Sequence, residues 1–164
     1  MDTLQQLRNE LEHEYRTTQN FFRIYPEGKN DYAPHEKSMK LGNLATHIAE
    51  IFSWPGVMLE TNDLDIGAGE RPQILSTPDE LLTKMQEHYD KSIAALNKAS
   101  EEDLNPDWAL KYGDNVLASW NKYDAIRHSL NQVTHHRAQL GVYYRLNDIE
   151  LPKSYGPTAD LQSF

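Results

Sequence analysis

Apolar residues recur at steps of three and four along four stretches of the chain. Leu4, Leu7, Leu11, Tyr15, Thr18 and Phe22 form the first set. That spacing puts them on one face of a helix, predicted over Thr3–Arg23, with Asp2 and Gln5 able to cap its start. Leu41, Leu44, Ile48, Ile51 and Phe52 predict a second helix with Ser38 as its cap. It should end or kink at Trp54-Pro55-Gly56, because Pro55 removes a helical hydrogen bond. A third helix opens at Thr77-Pro78-Asp79-Glu80, which supplies a cap, a first-turn proline and a glutamate at the third position. Leu82, Met85, Tyr89, Ile93 and Leu96 continue its stripe. The fourth runs from about Asn121 to Leu146, with Asp124 in its first turn.

Between these stretches, residues 25–37 and 60–75 hold glycines and prolines and read as loops. A loop as long as the second is often functional. Residues 101–119 are broken by Pro106, Gly113 and Asp114-Asn115 and predict a short helix or a hairpin. The expected architecture is all-α: one domain over residues 1–164, folded as an up-down four-helix bundle with no sheet larger than that hairpin.

The chain has no cysteine, which excludes a disulfide framework, a thiolate zinc site and a cysteine nucleophile, and fits a reducing cytoplasm. A formal net charge of -9 would repel a phosphate backbone, so no nucleic-acid partner is expected. No run approaches the length of a membrane span. The start, Met1-Asp2-Thr3-Leu4-Gln5-Gln6, has neither the basic residues nor the apolar run of a secretion signal.

Chemistry concentrates in the histidines. Three of the seven, His128, His135 and His136, lie on the fourth helix. On a helical wheel, His136 sits at the edge of the inner arc drawn by Ile126, Leu130, Val133, Leu140 and Tyr144. His128 and His135 point roughly away from it. On the second helix, His47 shares a stripe with Leu44, Ile51 and Trp54. Two inward histidines on different helices are a common start to a metal site. A two-histidine clamp on one helix needs residues one turn apart, and four before His136 stands Gln132, whose amide oxygen is a weaker ligand. His128 cannot replace it, because eight residues span about 12 Å of helix axis. Glu50, three after His47, is a candidate catalytic base or a solvated charge. A lone histidine on an apolar face is more often a hydrogen-bonded core residue than a ligand. His13, His35 and His88 read as surface residues, and Asp63 and Asp65 lack the rest of a calcium pattern.

The stretch Asn131-Gln132-Val133-Thr134-His135-His136-Arg137-Ala138-Gln139 resembles the fourth-helix motif Asn-His-x-x-His-His-Arg-Gly-Gln of the DinB/YfiT-like family of metal-dependent enzymes. Leu41-Gly42-Asn43-Leu44-Ala45-Thr46-His47-Ile48-Ala49 resembles its helix-2 histidine segment, and Tyr155-Gly156-Pro157-Thr158-Ala159-Asp160 its ending. The resemblance implies a four-helix bundle, a homodimer, and a three-histidine divalent metal site whose positions here are His47, Gln132 and His136. It departs at a ligand, since residue 132 is Gln where the family has His. The expected function is a metal-dependent enzyme of hydrolase or thiol-dependent transferase type, using zinc or nickel on a small-molecule substrate or thiol. The alternative is a metal-free, stress-related binding or scaffold module with a degenerate site.

Overall fold

The computed structural model describes residues 2–69 and 72–162, so Glu70 and Arg71 of the predicted loop lie outside the described residues. Among the described residues five α-helices form: α1 Thr3–Arg23, α2 Leu41–Ile51, α3 Trp54–Glu60, α4 Pro78–Lys98 and α5 Lys122–Arg145. The expected caps close α1 and α4, and Asn121, at the expected start of the fourth helix, caps α5. Asp2 accepts from Gln5 N, Thr77 and Glu80 form a reciprocal capping box, and Asn121 accepts from Asp124 N.

The second predicted helix differs in two ways. It starts at Leu41, and its cap residue Lys40 makes no side-chain cap bond. Instead the carbonyls of Tyr32 and Asn30 accept from Leu41 N and Gly42 N at 2.8 and 3.0 Å. The preceding loop thus satisfies donors that Ser38 was expected to cover. The helix then breaks at Phe52-Ser53 and restarts as α3 with Pro55 in its first turn. There the missing N–H costs nothing, whereas a continued α2 would meet the proline ring. Ser92 of α4 pins the break. Its hydroxyl donates to the Phe52 carbonyl at 2.7 Å and accepts from Gly56 N at 3.1 Å. A Cβ on Gly56 would lie 3.3 Å from Ser92 Cα, so glycine permits this approach.

Cross-helix contacts fix the directions. Arg8 of α1 donates to the Leu96 carbonyl and Tyr15 to Gln86, so α1 and α4 are antiparallel. Glu10 pairs with Arg127, and Tyr144 donates to the Phe21 carbonyl, so α1 and α5 are parallel. Tyr143 donates to the Met39 carbonyl while His47 meets His136, so α2 and α5 are antiparallel. The order is up-down-down-up, with α1 and α2 each packed mainly between α4 and α5. The expected simple up-down order is therefore corrected. The long connection between α3 and α4 returns the chain along the bundle, which lets two successive helices run the same way.

The chain is not all-α either. β2 (Asp107–Tyr112) and β3 (Asn115–Asn121) form the hairpin, turning at Gly113 with φ 57°. A third strand, β1 (Asp63–Asp65), pairs parallel to β2 and makes a three-stranded mixed sheet. Three residues with a single apolar side chain leave no periodicity to read, and β1 exists because β2 supplies its partners. Asp63 pairs with Lys111, and Asp65 accepts from Gly67 N and Gly113 N, so both acids serve the sheet. Among the described residues, no helix is long and apolar enough to cross a membrane.

The core runs through Leu11, Leu44, Ile48, Phe52, Met85 and Ile126, all within 1% of full burial. An ion pair lies inside it. Glu14 and Arg137 are 3% and 2% exposed and meet at 2.6 Å. Arg137 also donates to Thr18 Oγ1 at 3.0 Å, and Tyr155 of the C-terminal segment donates to Glu14 while its ring lies beside the guanidinium.

Candidate functional site

The antiparallel pairing of α2 and α5 brings His47 and His136 together, with ring centroids 4.8 Å apart. Both side chains are half-buried. Burial holds the His136 imidazole below the usual histidine range. A hydrogen bond to Gln139 opposes that shift, and the neighbouring His47 and His135 reinforce it. Gln139 sits between His135 and His136 of its own helix. Its Oε1 lies 3.2 Å from His136 Nδ1 and its Nε2 lies 3.0 Å from His135 Nε2. With Nδ1–H donating to the amide oxygen, the lone pair of neutral His136 is on Nε2. His135 is exposed, as the wheel predicted.

Gln132, one turn before His136, borders a cavity of about 300 Å³ together with His47. The chain's three tryptophans, Trp54, Trp108 and Trp120, all wall this cavity, with Met58, Leu64 and Leu110 among the apolar residues between them. The cavity lies under the sheet, against α2, α3 and α5. His136 lines a separate, more open hollow with Met39 and Tyr143, so the His47–His136 pair stands between the two spaces.

Other expected residues fall elsewhere. The Glu50 carboxylate is 3.8 Å from His47 Nδ1. It faces a hollow shared with Thr46, Lys84 and His88, not the aromatic cavity. His88 is not a plain surface residue, since its Nδ1 lies 2.9 Å from the Ala49 carbonyl. His13 and His35 are exposed, and His13 stacks on Tyr155. Among the described residues, no three His, Asp or Glu side chains come together as a metal-holding group.

Two features escaped the sequence reading. His128, placed by the wheel away from the interior, lines the cavity with its ring stacked on Trp120 at 4.9 Å. The wheel assumed that only helices cover α5, whereas the hairpin folds over that flank and makes a second interior. Trp120 is a cavity wall for the same reason. The buried Glu14–Arg137 pair was legible in part: Glu14 falls on the stripe of Leu7, Leu11 and Thr18, where a carboxylate needs a partner.

A family model described as the DinB family matches residues 1–159. This chain belongs to the DinB family. Solved structures agree on the fold. A DinB-like protein (yjoa) from Bacillus subtilis is 19% identical with a TM-score of 0.71, covering 91% of this chain and 97% of that one. A DinB-family structure from Exiguobacterium sibiricum is 16% identical with a TM-score of 0.67, covering 93% and 97%. A DinB-like protein from Bacillus cereus is 16% identical with a TM-score of 0.69, covering 91% and 95%. No curated protein matches the DinB chain in sequence.

Proposed function

We propose that this DinB protein is a metal-dependent enzyme of the hydrolase or thiol-dependent transferase type, acting on a small molecule at the α2–α5 face. The observation that carries the reading is the convergence of His47 and His136 beside a cavity that Gln132 also borders. The donor set fits a divalent ion in part: two half-buried imidazoles and one amide oxygen, with no carboxylate or thiolate among them. Such a set suits zinc or nickel better than calcium, which prefers oxygen throughout.

His47, Gln132 and His136 would hold the ion. When bound with an open position, it would supply a nucleophile near neutral pH by lowering the pKa of a coordinated water or thiol. Gln139 orients His136 by fixing which ring nitrogen carries the proton, a supporting role that metal-binding histidines usually need. Glu50 acts through His47 as a positioning residue rather than as a base in the cavity. The tryptophan walls exclude water from the side on which a substrate would enter.

Zinc and nickel titration calorimetry on untagged protein tests this. His136→Ala should abolish measurable binding, while His135→Ala should leave it nearly unchanged. The reverse pattern would place the centre on the wrong face of α5. No heat of binding from the wild type would favour the metal-free binding module, whose support is the cavity alone.

The same reading includes a homodimer, with the exposed Val142 and Leu146 at the end of α5 as its candidate contact. Light scattering should then give about twice the 18.9 kDa chain mass at high concentration. A mass that stays at that of one chain throughout would rule the dimer out.

A further inference from the structure

The cavity beside the histidine pair has features that narrow what it can hold. Its volume is about 300 Å³. A protein cavity of about 150 Å³ accepts one benzene ring, so this one has room for two fused rings. Its walls are built largely of aromatic rings. The rings of His128, Trp120 and Trp108 form a near-parallel series, with interplanar angles of 24° and 21° and centroid separations of 4.9 and 6.5 Å. Trp54 closes another side, its edge against His47. Planar π surfaces favour planar partners in offset or edge contact.

Strongly polar groups gather at one edge. Among the described residues, apart from the indole N–H groups of the tryptophans, polar side chains reach the lining from His47, His128 and Gln132, all on α2 and α5. No Asp, Glu, Lys or Arg lines the cavity among the described residues, although a quarter of the chain is charged. A charged ligand group deep in this space would have no ionic partner and would lose its hydration. A neutral hydrogen-bonding group would find imidazole and amide partners at the α2–α5 edge.

We propose that the cavity binds a neutral, flat molecule of two fused rings, at least one of them aromatic, carrying one carbonyl or hydroxyl that meets His47, His128 and Gln132. This rests on reading the α2–α5 face as a small-molecule site and requires no metal. His128 becomes a specificity-determining residue, holding Trp120 in place through its ring face and offering a ring nitrogen to the ligand.

Coumarin is a suitable probe, with two fused rings and one lactone carbonyl. Because all three tryptophans of the chain wall the cavity, their emission reports directly on its occupancy. Titrations by calorimetry and by emission, with a chelator present throughout, should show saturable binding of one coumarin per chain. Leu110→Phe and Val57→Phe shrink the cavity from β2 and from α3. Each should weaken coumarin by about tenfold or more, as added bulk does in a tight apolar pocket. His128→Leu should weaken coumarin more than it weakens naphthalene, which lacks the carbonyl. Circular dichroism checks each fold, and if one filling variant unfolds the other decides.

Three results would overturn the proposal: no saturable coumarin binding by the wild type, equal binding by the folded filling variants, or cyclohexanol binding as tightly as coumarin. Zinc titration is scored separately. Coumarin binding without zinc binding removes the metal reading alone, and zinc binding without coumarin binding removes this one alone.

Discussion

Gln132→His should tighten zinc and nickel binding by at least about tenfold, since even changes behind a ligand shift affinity by about 10- to 100-fold. Residue 132 precedes His136 by one helical turn and borders the same cavity as His47. An imidazole there would complete a set of three nitrogen donors on one side of an ion. The native amide offers a neutral oxygen, a poorer match for zinc or nickel, and freezes an extra rotatable bond on binding. Residue 132 is half-buried, so a ring of similar length is accommodated at the cavity edge without entering the core. Titration calorimetry on the wild type and the variant is the measurement. Unchanged affinity would mean that the centre does not include this position.

Arg137→Met should cost about 3–5 kcal/mol of stability, because it leaves the Glu14 carboxylate buried without its cation. Glu14 is 3% exposed and keeps only the Tyr155 hydroxyl once the guanidinium is gone. For a chain of this size the loss corresponds to a melting temperature lower by roughly 10 °C. The double variant Glu14→Leu with Arg137→Met should recover most of the loss, since an apolar pair of similar volume often serves as well as a buried ion pair. Thermal and urea unfolding followed by circular dichroism measure both. A single variant as stable as the wild type would mean that water reaches Glu14, and a double variant no better than the single would mean that the pair supplies packing nothing else reproduces. Arg137 neighbours His136 in sequence yet points to α1, so this variant also tests whether anchoring α5 matters to the proposed metal site.

Helices with strong local signals were readable residue by residue. The Thr77-Pro78-Asp79-Glu80 start, the α5 start near Asn121 and the full span of α1 follow from short-range rules that tertiary contacts did not overrule. The inward direction of His47 and His136 and the outward direction of His135 followed from helical periodicity alone. Ser38, a good cap on local grounds, lost to the carbonyls of Tyr32 and Asn30, because a folded loop can supply acceptors that no local rule anticipates. Pro55 predicts an end or a kink, and the helix does break there; the restart as α3 follows because a proline is excluded from a helix interior but welcome in a first turn.

By itself the sequence determined where the long helices lie, the buried face of α1, that no cysteine chemistry operates, and that the chain is a DinB-family protein. These rest on patterns within about one or two helical turns, or on a motif read directly. Only the tertiary structure decided the up-down-down-up order, the parallel pairing of β1 with β2, the burial of Glu14 against Arg137, and the aromatic cavity that turns His128 and Trp120 inward. Each of these depends on partners tens of residues away. A helical wheel shows which residues share a face but not what will cover it, and here the cover on one flank of α5 is a sheet.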